Sequence, residues 1–170
     1  YKEAALAQPF ANTLVNMDMT GAQIKTMLEQ QWQPEGASRP FLRLGTSRGF
    51  EFTYDPTLAA GERITGIYLK NRPLDPGATY SVTANSFLAS GGDNFTVFRE
   101  ATNKRDTGMT DLTAMVDYMA VKAPASEPLV PRTEQHAVGV SMSGAKVARG
   151  GELVMDLSSL VMTGEGDVQD

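Results

Sequence analysis

The residues best suited to do chemistry lie between Ala84 and Phe95. The stretch reads Ala84-Asn85-Ser86-Phe87-Leu88-Ala89-Ser90-Gly91-Gly92-Asp93-Asn94-Phe95. Gly91 and Gly92 permit positive φ and let another molecule approach bare backbone. Asp93 follows as an acceptor on a tight turn, with Phe87 and Phe95 placing aromatic rings on either side. An aromatic face, exposed backbone and a carboxylate together suit a flat, hydroxylated ligand such as a nucleoside. Taken singly, each Phe has a commoner place in a core, and Asp93 has a commoner use in stabilising a turn through its own side chain.

Such a loop needs elements to carry it. Tyr80, Val82 and Ala84 alternate with polar residues and predict a strand leading into it. Upstream, Thr13 to Met19 reads as another strand. Thr20 and Gln23 form a Thr-x-x-Gln capping box that opens a helix with the apolar stripe Ile24, Met27, Leu28 and Trp32, stopped by Pro34 and Gly36. Lys2 to Ala7 fits a short helix or a strand approach. Further strands are predicted at Phe41–Gly45, Phe50–Tyr54 and Arg63–Leu69, with a turn from Asn71 to Gly77. Lys104-Arg105-Asp106 reads as exposed polar chain. Thr110 caps a helix whose apolar face is Leu112, Met115, Val116 and Met119. Val138–Met142 and Leu153–Met155 look like strands separated by Gly150-Gly151. The pattern is α+β: a mixed, largely antiparallel sheet with packed helices and a short β-rich tail. The organisation expected is one domain over 1–124, a Pro-rich linker over 125–134, and a β-rich tail or the start of a further domain over 135–170.

Composition narrows the chemistry. The chain has 170 residues and a net charge of −5; an acidic balance argues against a nucleic-acid polymer as partner. Most of the imbalance lies beyond residue 124, where three Lys/Arg face seven Asp/Glu, against twelve and thirteen before it. Cysteine is absent and His136 is the single histidine, which removes thiolate sites, His-ligated metals and a Ser-His-Asp triad from what this chain supplies alone. His136 reads as a surface residue of the linker. No stretch reaches transmembrane length. Tyr1 stands where an initiator Met would, so the sequence reads as a fragment or a processed product.

Several ordered motifs carry a likeness. They are Pro9-Phe10-Ala11-Asn12-Thr13-Leu14, Met19-Thr20-Gly21-Ala22-Gln23-Ile24, Gly61-Glu62-Arg63-Ile64, Arg72-Pro73-Leu74-Asp75-Pro76, and Tyr80 through Asp93. In this order and spacing, residues 1–124 resemble the C-terminal, substrate-binding domain of the 5′-nucleotidase and UDP-sugar hydrolase family. The resemblance implies a hydrolase whose two divalent metal ions and His-Asp pair sit in a separate N-terminal metallophosphoesterase domain, outside this sequence. It implies no cofactor and no catalytic residue in the fragment itself. It further implies that a nucleotide or nucleoside base is sandwiched between Phe10 and Phe87, with Asn12 lining the pocket. Asp93 would accept hydrogen bonds from ribose hydroxyls, with Gly91 and Gly92 beside it. An extracellular, periplasmic or cell-surface location and a hinged swing of the domain follow from the same likeness.

The sequence departs from the family pattern in places. Ala11 stands where many relatives have Gly, and Asn94 replaces another Gly, which Asn tolerates through its access to the left-handed region. The family's upstream Gly-Gly-Ile-Arg segment precedes Tyr1, so weak binding by the isolated chain is expected. Arg43, Arg48, Arg63 and Arg72 are better read as surface arginines than as phosphate binders. Asn94-Phe95-Thr96 is a glycosylation sequon that a pocket at this place would leave unmodified. A competing reading keeps the fold but assigns it to non-catalytic adhesion or display on a cell surface.

Overall fold

The computed structural model describes residues 2–123, 126, 135–144 and 146–159. Its elements in chain order are helix α1 (Lys2–Ala7), strand β1 (Thr13–Thr20), helix α2 (Gly21–Glu29), and strands β2 (Phe50–Tyr54), β3 (Ile64–Leu69), β4 (Arg72–Pro73) and β5 (Thr79–Asn85). Helix α3 (Ser86–Ala89) follows, then 3-10 turns at Gly92–Asn94 and Thr96–Glu100 and strand β6 (Thr102–Thr110). Helix α4 (Asp111–Lys122) and strands β7 (Ala137–Met142) and β8 (Met155–Ser158) complete the list. The fold is α+β. Backbone contacts gather the chain into two compact units, the first from Tyr1–Gln30 and Pro76–Arg132, the second from Gln31–Asp75 and Thr133–Asp170. Most of the linker expected over 125–134 lies outside the described residues.

The first unit is built on β1, which lies between β5 and β6 in an antiparallel sheet of order β5-β1-β6. Its alternation is the cause: Val15, Met17 and Met19 are buried while the residues between them stay half-exposed, as one-sided strands require. Asn16, on the other face, donates to the Ser81 and Thr83 hydroxyls at 2.9 and 3.0 Å. Thr20 ends the strand and caps α2. Its hydroxyl accepts from Gln23 N–H, and its own N–H donates to the Gln23 side chain, completing the predicted box. Ile24, Met27 and Leu28 then face the core together with Phe95, Val97, Phe98 and Ala101.

Two expectations in this unit are corrected. Residues 102–110 form a strand, β6, along β1, although every residue in it but Thr110 is exposed. With no buried face it needs no apolar alternation, and its hydrogen bonds to β1 alone define it. Helix α4 begins at the predicted cap, where the Thr110 hydroxyl accepts from Thr113 N–H. Its stripe is covered only in part: Leu112, Met115 and Val116 are half-buried and Met119 is exposed. The helix it meets, α1, is six residues long with none buried, too short to cover the final turns.

The second unit holds a sheet of order β4-β3-β2-β7-β8. Here β2 and β7 run parallel, Phe52 beside Ala137, and the other pairs are antiparallel. The predicted helix extension through Trp32 does not form; α2 stops at Glu29. Trp32 instead bridges Phe41, its ring 5.0 Å from that of Phe41 and 5.4 Å from that of Tyr54, with the Arg63 guanidinium 5.3 Å from its centroid. Phe41–Gly45 is not a strand beyond that bridge. The fully buried Gln31 explains why: its backbone carbonyl accepts from Leu42 N–H and its side chain from Leu44 N–H, so a side chain supplies part of what a neighbouring strand would. The last strand starts at Met155, leaving Leu153 and Val154 outside it. His136 is half-buried at the entry to β7, its carbonyl accepting from Phe52 N–H and its Nδ1 3.3 Å from the Thr46 hydroxyl. It leads into an internal strand of the sheet and is not a surface linker residue.

Candidate ligand site at one end of the first sheet

Register decides which motifs meet. Leu14 pairs with Asn85 across β1 and β5, so the chain before Leu14 and the chain after Asn85 emerge at the same end of the sheet. The Pro-Phe-Ala-Asn motif lies just before the one, and the Asn-Ser-Phe motif runs through the other. Asn12 ties them: its side-chain oxygen accepts from the Ser86 hydroxyl at 3.4 Å, and its carbonyl accepts from Asp111 N–H at 2.8 Å. The half-buried Asn12 thereby joins the starts of α3 and α4 to the end of β1.

Phe10 and Phe87 are the open aromatic residues at this end, at 77% and 46% exposure. Phe87 sits in the first turn of α3, which Asn85 caps by accepting from Leu88 N–H at 2.9 Å. Such a side-chain cap fixes the start of a helix, and with it the direction in which Phe87 leaves the backbone. A Cβ placed on Gly92 would lie 2.6, 2.6 and 2.7 Å from three consecutive atoms at the far end of the Phe87 ring. Near-equal distances to three ring atoms put that point over the ring's face and not at its edge. Gly92 therefore backs one face of Phe87.

The adjoining turn is left-handed for several residues. Gly91 has φ +84°, Asp93 φ 50° and ψ 36°, and Asn94 φ 62°. Asp and Asn are the residues that tolerate this region best after Gly. A Cβ on Gly91 would stand 2.5 Å from Arg99 Nε, so the space at each glycine is filled from within the chain. Phe95 is 2% exposed with its ring centroid 6.4 Å from that of Phe98. It is a core residue and does not flank the turn, contrary to the expectation from sequence. Asp93 itself is half-buried.

Two cations that carry no motif in the sequence also stand here. Arg99 Nε donates to the Ser90 carbonyl at 3.0 Å, and Lys104 Nζ lies 3.4 and 3.3 Å from the carbonyls of Ala89 and Arg99. They satisfy carbonyls around the end of α3, where cations are favoured. Nothing in their spacing announces this; it depends on the turns at Thr96–Glu100 and on β6. The arginines weighed in the sequence belong to the other unit, where Arg43 donates to Ser159 and Arg63 lies over Trp32. Among the described residues no three His, Cys, Asp or Glu side chains are grouped to hold a metal ion, so no step through a metal is derived from this chain. No described helix is long and apolar enough to cross a membrane.

Comparisons with known proteins bear on the family and the fold. A 5′-nucleotidase-related protein of Glossina morsitans morsitans is 35% identical over 79% of the chain and 25% of its own length. The solved structure of a 5′-nucleotidase precursor from Thermus thermophilus has a TM-score of 0.65 and 33% identity, covering 79% of this chain and 26% of that one. Haemophilus influenzae NAD nucleotidase shares the fold, with a TM-score of 0.63 at 21% identity over 80% of this chain and 25% of that one. The chain thus spans about a quarter of the length of these relatives. The family model described as 5′-nucleotidase, C-terminal domain, matches residues 1–100, and the chain belongs to that family.

Proposed function

We propose that the first unit recognises the nucleoside part of a nucleotide substrate for a secreted or cell-surface 5′-nucleotidase or UDP-sugar hydrolase. The ester is cleaved in a separate N-terminal metallophosphoesterase domain of the same protein, which holds two divalent metal ions. The observation that carries this reading is the Phe87 ring, backed by Gly92 on one face and still 46% exposed. A ring supported on one side presents its other side to a planar ligand without having to be ordered on binding, which lowers the entropic penalty. The exposed Phe10 is the partner from the far side of the base. Stacking on one such ring contributes about 1–3 kcal/mol and tolerates any base.

In this reading Asp93 accepts the ribose hydroxyls, and Asn12 keeps the two ring-bearing segments joined. A 2′-deoxy ligand leaves part of the carboxylate's accepting capacity unmet, a loss on the order of 1–3 kcal/mol if the carboxylate is dry in the complex. Titration of the chain with adenosine, AMP and 2′-deoxyadenosine, followed by calorimetry and Phe-ring NMR shifts, is the test. Binding that weakens roughly tenfold to a hundredfold in Phe87→Ala is expected from the stacking energy. Absence of binding at millimolar nucleoside, with the chain folded, would sink the proposal and favour an adhesion or display role.

A further inference from the structure

Arg99 has no part in the reading given above, yet its side chain occupies the space under the glycine turn. Its Nε lies 2.5 Å, its Cγ 3.1 Å and its Cδ 3.2 Å from where a Cβ on Gly91 would stand. From there Nε donates to the carbonyl of Ser90, the residue just before the turn. The backbone of Arg99 is itself anchored. It sits in the turn Thr96–Glu100, whose Val97 and Phe98 are each 2% exposed, and its carbonyl faces Lys104 Nζ at 3.3 Å. A planar guanidinium held at its base and bonded at its Nε is a stiff prop. After Gly91 and Gly92 the chain makes two left-handed non-glycine residues in succession, Asp93 and Asn94, a conformation that persists only where its surroundings enforce it.

We infer that Arg99 is a positioning residue for Asp93: braced between the Ser90 carbonyl and Gly91, it sets the turn that aims the carboxylate, and so governs discrimination between ribose and 2′-deoxyribose ligands. The inference rests on the nucleoside reading for its ligand, but the brace itself does not. The side chain acts through the backbone of residues 90–93 and needs no contact with the sugar. Its charge is secondary to its shape and to the direction of its Nε–H.

Two measurements on the full chain test it, with Arg99→Met and Arg99→Lys. The first is amide hydrogen exchange without ligand. Faster exchange at residues 91–95 in both variants, by about tenfold, with the strands β1 and β5 unchanged, is expected. Unchanged exchange at the turn overturns the brace whatever the ligand proves to be. The second is the ratio of adenosine to 2′-deoxyadenosine affinity. Arg99→Met is expected to lower that ratio by about threefold to tenfold, mostly through weaker adenosine binding, and Arg99→Lys is expected not to restore it. A ratio restored by Lys would mean that charge alone matters and would overturn the positioning role. Wild-type chain that binds neither nucleoside, with a turn that loosens in the variants, refutes the nucleoside reading and leaves the brace standing.

Discussion

Gly92 lies beneath the face of the Phe87 ring, close enough that a single added methyl would overlap three ring atoms. The glycine is there for an aromatic neighbour in its own chain. Gly92→Ala is therefore expected to displace the ring. Overpacking a closed core costs about 1–3 kcal/mol, but this ring is half in solvent and can swing outward, so the fold should lose under about 1 kcal/mol. Ligand binding should fall nearly as far as in Phe87→Ala. Parallel melting curves and adenosine titrations check both halves; undiminished binding in Gly92→Ala would show that the backing of the ring is immaterial.

Ala11 carries φ 52°, a conformation that glycine adopts without steric cost. An L-residue in the left-handed region costs roughly 1–2 kcal/mol, while the greater freedom of Gly in the unfolded chain takes back about 0.4–1 kcal/mol. Ala11→Gly should stabilise the protein by about 0.5–1 kcal/mol, and Ala11→Val should destabilise it. Denaturant midpoints at unchanged slope report the difference.

Asp106 fastens β6 to β1. Its carboxylate accepts from Gly108 N–H at 2.8 Å and from the Thr13 hydroxyl at 2.7 Å. These bonds, the backbone one foremost, hold its pKa below the usual carboxylate value. A carboxyl depressed on folding stabilises the folded state fully above its unfolded pKa and loses that contribution as pH falls through the folded one. The stability gap between wild type and Asp106→Asn should be widest at neutral pH and should close below about pH 4. A gap that stays constant through the acid range would show that the hydrogen bonds do not favour the ionised form.

Much of the first unit could be read ahead of the structure because its signals are local. The strand read over Thr13 to Met19, the Thr20–Gln23 box and the Thr110 cap each act within a few residues, and each appears as expected, although Val15, the exception to the alternation in the sequence, is buried with Met17 and Met19. What escaped was set by distant neighbours. Strand β6 has no buried face to leave a pattern. Trp32 continues a helical stripe in the sequence yet belongs to an aromatic cluster in the other unit. Phe95 and Phe87 look alike on either side of the glycines, and only the packing of Phe95 near Phe98 separates core from open ring. Arg99 is an exposed cation whose bond to the Ser90 carbonyl exists only once the turn has formed.

The parallel pairing of β2 with β7 has a consequence for how the chain is made. A ribosome releases Phe50–Tyr54 long before Ala137–Met142, with 82 residues between the two strands. During that interval β3 can zip onto one side of β2, but the other side has no native partner and presents open amide and carbonyl groups. Such edges invite wrong pairings in nascent chains. The strands and helices of the first unit are all synthesised by Lys122. Nucleation of the first unit can thus precede completion of the second, and the late-arriving strands β7 and β8 seal the edge left waiting.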